Sequence, residues 1–117
     1  MTLDYSHEKA HQILLTLGTM DASLVERIEA ACVHPFLALA EGRTGGLSDS
    51  LVGAFAALLE EMSSVEPSGG EGSIHATLMS VDESTVQSFA ERMVDLCIEV
   101  LQVDGPEVTK LVELREE

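Results

Sequence analysis

The stretch SVDESTVQSFAERMVDLCIEVL, running from Ser80 to Leu101, decides the fold. Val86, Phe89, Ala90, Met93, Val94, Cys97, Val100 and Leu101 recur three and four residues apart, so a helix gathers them on one face. Glu83, Glu91, Asp95 and Glu99 fall on the other side and meet water. Ser80 with Glu83 three residues on is a capping box, which predicts where this helix begins. A helix with one apolar face has to bury it against another element, and the rest of the chain offers helical patterns for the purpose.

Downstream, Gly105-Pro106 breaks the long helix, and Pro106 at a first helical position predicts a short C-terminal helix over 106–115 with Val108, Leu111 and Val112 inward. Upstream, Ile74, Leu78 and Val81 keep a helical period, and residues 73–81 read as a short helix, although their β-branched content also suits an extended piece. Pro67-Ser68-Gly69-Gly70-Glu71-Gly72 marks a flexible loop at 64–73. Before it, Leu51, Ala54, Phe55, Leu58, Leu59 and Met62 form the stripe of a helix capped by Ser48, Asp49 or Ser50. Another capping box, Ser23 with Glu26, starts a helix that has Leu24, Val25, Ile28, Ala31, Cys32, Phe36 and Leu39 inward and Gly42 at its close. Pro35 lacks an N–H and should kink or split that helix near His34. The first helix spans Ser6 to Leu17, with Ala10, Ile13, Leu14 and Leu17 on one face and Gly18 as a left-handed cap. No run alternates as a strand does. The predicted architecture is all-α, a single-domain antiparallel bundle of four to five helices over residues 1–117.

Six Lys and Arg against 21 Asp and Glu give a net charge of −15 and an isoelectric point near 4.3. Direct nucleic-acid binding needs a cationic footprint, and docking on anionic lipid needs basic segments, so both are excluded as leading functions. At 45% hydrophobic residues the chain is too apolar for disorder. Cys32 and Cys97 are too few for a disulfide framework. Met1-Thr2-Leu3-Asp4-Tyr5 has no basic n-region, and no apolar run reaches membrane-span length, which together imply a cytoplasmic protein with reduced thiols.

Two short motifs carry possible chemistry. His7-Glu8-Lys9-Ala10-His11 reads HExxH and resembles the zinc-peptidase motif, in which histidines one turn apart hold Zn²⁺ and the glutamate activates a water. Leu14 and Leu17 stand where the extended form of that motif has Gly and His, and Glu26 or Glu29 are the acids placed to complete a ligand set. The alternative is a solvated first helical turn. Asp49-Ser50-Leu51 is similar to the modification site of acyl carrier proteins, which implies a phosphopantetheine arm on Ser50. Leu47 stands in place of that family's glycine, and the alternative role for Ser50 is a helix cap. Cys32 and Cys97 read as core thiols, His34 as a partner for a carbonyl freed by Pro35, and His75 as a surface histidine. Met20, Met62, Met79 and Met93 read mostly as core.

Acidity is the strongest feature outside the core. Glu91, Asp95 and Glu99 repeat at i, i+4 and i+8 as one ridge, and Glu60 and Glu61 cluster at the end of their helix. Such a surface steers a basic protein partner toward it. The sequence therefore leads to a non-enzymatic interaction module without cofactor: a regulator, inhibitor or immunity-type binder that masks a basic, nucleic-acid-binding surface. Gly53 and Ala57, with Ala54 and Ala56, make a low-profile strip suited to tight packing within the chain or, in second place, to a homodimer seam.

Overall fold

The computed structural model describes residues 3–42, 45–67, 69 and 72–103. The elements are α1 (Leu3–Thr19), α2 (Leu24–Ala31), a π-helical turn (Cys32–Phe36), α3 (Leu37–Ala40), α4 (Asp49–Met62), α5 (Ser73–Ser80) and α6 (Glu83–Gln102). No strand occurs among the described residues. Since α2, the π turn and α3 follow one another without a break, five helical rods make the bundle, as the periodicity predicts. The expected C-terminal helix at 106–115 and its Gly105-Pro106 breaker lie outside the described residues, as does part of the 64–73 loop.

Side-chain contacts fix the directions of the rods. His7 at the start of α1 donates from Nε2 to the Val103 carbonyl at 3.0 Å, just past the end of α6. Leu17, near the other end of α1, borders Ala90 early in α6, so the two run antiparallel. Arg27 donates to the Leu17 carbonyl at 2.7 Å while Lys9 reaches His34, which sets α2 antiparallel to α1. Glu61 and Arg92 join the end of α4 to α6, and Ser50 and Gln102 border one depression at the opposite ends, giving a third antiparallel pair.

The core is one cluster. Ile13, Ile28, Phe36, Leu39, Phe55, Met62, Met93, Cys97 and Val100 are fully buried, and each large apolar side chain so placed contributes roughly 1.5–3 kcal/mol. Phe36 meets Phe55 edge to face with ring centroids 5.2 Å apart, pinning the π turn to α4. Pro35 accounts for that turn: lacking an N–H it cannot sustain the α-helical ladder, and the wider turn carries the chain past it without a break. Along it Val33 and His34 face outward, while Cys32, Pro35 and Phe36 face inward and continue the buried side of α2.

Several local expectations are corrected. Gly18 does not cap α1; it lies within a helix that runs from Leu3 to Thr19. Gly42, by contrast, closes α3 in the left-handed region at φ 70°. Ser23 caps α2 as expected, its hydroxyl accepting from the Glu26 N–H at 3.2 Å. Of the three possible caps for α4 the structure uses Ser48, which accepts from the Leu51 N–H at 3.1 Å. The Ser80–Glu83 capping box does not form. Ser80 is the last residue of α5 and spends its hydroxyl on the Ala76 carbonyl, so Asp82 caps α6 instead, accepting from the Thr85 N–H at 2.9 Å. Leu101 is exposed rather than core, and among the methionines Met62 and Met93 are buried whereas Met20 and Met79 are exposed. The small strip of α4 is not packed within the chain: Gly53, Ala56 and Ala57 are exposed, and a Cβ on Gly53 would meet nothing within 4 Å.

Glycine substitutions give opposite outcomes. Gly46, at φ 79°, presses on Leu3, whose Cα would lie 2.9 Å from an added Cβ, so Gly46→Ala lowers the melting temperature through both strain and clash. Gly53→Ala, in the open interior of α4, raises stability by about 0.5–1 kcal/mol in chemical denaturation.

The hydrogen bonds from Thr85 and Ser84 hold the Asp82 carboxyl below its ordinary range. A depressed folded-state pKa gives stability that is present above the unfolded pKa and lost as pH falls through the folded one. Asp82→Ala therefore melts lower than the parent at neutral pH, and the gap closes on acidification; Ser80→Ala leaves the α6 cap intact and shows no such pH-dependent gap.

Candidate functional site

The described residues contain three Lys or Arg side chains, Lys9, Arg27 and Arg92, and the fold commits all three internally. Lys9 falls on the buried side of α1, only 6% exposed, where its ammonium lies 4.9 Å from the Tyr5 ring centroid and donates to His34 Nδ1 at 3.3 Å and Gln12 Oε1 at 3.4 Å. The HEKAH turn is thus not a solvated one at its central residue, and His34 takes the Lys9 proton donor rather than a carbonyl freed by Pro35. Arg27 reaches from α2 to the last turn of α1, where the carbonyl ends of a helix favour a cation, and α1 has no basic residue of its own there. Arg92 forms a two-pronged pair with Glu61, at 3.1 and 2.5 Å. Those bonds hold the Glu61 carboxyl below its ordinary range.

Among the described residues, Glu60, Glu91, Asp95 and Glu99 are exposed and no salt bridge engages them. Of the five acids read as partner-binding, Glu61 is the one the fold pairs with a cation, Arg92, while it stays exposed. The predicted single ridge also divides: each four-residue step on an α-helix advances by about 40° beyond a full turn, so the line drifts round α6. Glu91 and Asp95 overlook a groove of about 380 Å³ floored by Leu17, Leu24, Ala90 and Val94. Glu99 belongs instead to a depression of about 430 Å³ beside Ser48, Ser50, Leu51, Ala54 and Gln102.

That second depression contains the Ser50 of the carrier-like motif. Its residue is exposed in the first turn of α4, but the capping role belongs to Ser48, and Glu99 brings a carboxylate to the same hollow, where it opposes a phosphate. For the zinc-like motif, His7 spends Nε2 on the Val103 carbonyl and His11 is exposed. Glu29, one of the acids placed to complete a ligand set, is paired with His75 Nδ1 across α2 and α5. No three His, Cys, Asp or Glu side chains converge in metal-binding fashion among the described residues. His75 is accordingly a half-buried clasp and not the free surface histidine of the sequence reading.

The groove floor escaped the sequence reading because Leu24, Ala90 and Val94 keep perfect helical spacing and pass for core. The signal was the breadth of the α6 stripe. Val86, Phe89, Met93, Cys97 and Val100 suffice to fill the interior, leaving Ala90 and Val94 at the edge, only partly buried. No protein-family model matches the chain, and neither does a curated protein or a solved structure. No described helix is long and apolar enough to cross a membrane.

Both thiols are sealed in the core. Burial, with the Glu29 charge adding to it, pushes the Cys32 thiol up to about 12, and burial alone takes Cys97 up to about 12. In a disulfide-exchange assay at mildly alkaline pH, the native chain is expected to react orders of magnitude more slowly than the chain in denaturant, where both thiols titrate. Rapid release from the native chain would contradict this burial.

Proposed function

We propose that this protein is a non-enzymatic interaction module that engages a basic surface on a protein partner as a regulator, inhibitor or immunity-type binder, and so masks a surface suited to nucleic acid. One observation carries the reading. Every described Lys and Arg is spent on a contact within the fold, while Glu60, Glu91, Asp95 and Glu99 are exposed and have no ion-pair partner among the described residues. Surface neutralisation would have been the simpler use of three cations in a chain of net charge −15. With these three cations engaged, the exposed carboxylates dominate the charge of the described surface, and a field of one sign accelerates encounter with a partner of the other. The exposed apolar side chains Val33, Met79 and Ile98 add contact area beyond what charge alone provides.

The test is the triple charge reversal Glu91→Lys, Asp95→Lys and Glu99→Lys against a partner co-purified from the protein's own cells. The expected result is an association rate lowered by about tenfold or more at low salt and a flattened salt dependence, with the thermal melt of the chain itself retained. Unchanged rate and salt slope would overturn the reading, as would a stoichiometric covalent adduct on Ser50 in the intact mass of the native protein.

A further inference from the structure

We infer that the groove between the C-terminal end of α1, the N-terminal end of α2 and the middle of α6 docks a basic amphipathic helix of a partner protein. The inference rests on the interaction-module reading and assigns it a site and a mode. Leu17, Leu24, Ala90 and Val94 make an apolar floor, and Glu91 and Asp95 rise along one edge. Ala90 is the smallest of the lining side chains, so added bulk there takes up groove volume. The nearest cation on the same helix, Arg92, is held toward α4 by Glu61, so it does not neutralise this edge.

The chemistry of the groove selects its occupant. A peptide that binds by strand addition needs a sheet edge, and none exists among the described residues. A polyproline segment needs aromatic walls, and the groove has no ring. Phosphate-bearing ligands, whether nucleic acid or lipid surface, are repelled by the two carboxylates. A helix lying along α6 meets all the requirements. Its residues advance by about 1.5 Å each, so lysines or arginines four apart match the spacing of Glu91 and Asp95, and an apolar residue beside them enters over Ala90. The complementary charges set orientation and register, and the anchor side chain supplies desolvated contact.

The probe is a fluorescein-labelled synthetic peptide with leucines and lysines arranged for one apolar and one basic helix face, beside a scrambled peptide of equal composition. Both are titrated into the full chain by anisotropy at physiological salt. The expected result is at least about tenfold tighter binding of the helical arrangement, with backbone amide shifts concentrated at Leu17, Leu24, Ala90 and Val94. Ala90→Leu, which fills the groove without altering charge, and the pair Glu91→Lys with Asp95→Lys should each erase that preference. Circular dichroism and a thermal melt verify each variant's fold, and Val94→Gln replaces Ala90→Leu if the latter does not fold. Equal binding of both peptides, unaffected by the floor variant, overturns the groove while the general acidic-surface reading stands. If neither peptide binds even at low salt, both readings are overturned.

Discussion

The missing N–H of Pro35 is the constraint on which the bundle depends. An α-helix from Ser23 onward would have to stop there, yet the chain continues through a π turn and delivers Phe36 and Leu39 to the core. Across that turn Val33 is three-quarters exposed and Pro35 itself lies inside, so the inward face begun by Ile28 and Ala31 is carried on to Phe36 and Leu39. Phe36 then meets Phe55, and that edge-to-face contact locates α4. With α4 placed, Met62 and Leu58 close the interior against α6, and Glu61 comes within reach of Arg92.

The arrangement of charge follows from that packing. Lys9, beside Tyr5 of its own helix, is needed where α1 passes the outward-turned His34, Arg27 where α1 ends, and Arg92 where α4 meets α6. Each cation thus serves as a joint between rods. An internal ammonium without a carboxylate partner is costly, and here a ring face, an imidazole nitrogen and an amide oxygen share the work of replacing water. The negative exterior is the counterpart of this economy. Among the described residues it is a property of where three cations went as much as of how many acids surround them.

The sequence made the rods legible and left their joints obscure. The α6 stripe, the Ser23 cap and the closing role of Gly42 are encoded within one or two turns, so periodicity and local chemistry suffice to read them. Ser80 misleads because serine serves equally as a cap and as a residue that back-bonds to its own helix; which occurs depends on whether α5 extends that far. Gly18 misleads for a related reason, since glycine permits a left-handed stop without requiring one. The partners of Lys9, His75 and Glu61 were illegible because they lie 25, 46 and 31 residues away, beyond any local pattern. At the candidate site the acids were visible and the groove was not, because Leu24, Ala90 and Val94 have the spacing of core residues and only the completed packing leaves them at its edge.

The bundle also sorts its sulfur by chemical vulnerability. Cys32, Cys97, Met62 and Met93 are closed off from solvent, whereas Met20 is 42% and Met79 64% exposed. Peroxide converts an accessible thioether to a polar sulfoxide, and in a core that change would break packing. Here the accessible thioethers sit where added polarity meets water and disturbs no interior contact. Met79 borders a second apolar hollow with Leu78 and Val86, so oxidative ageing would register first as a change in surface stickiness, with the interior left as it was.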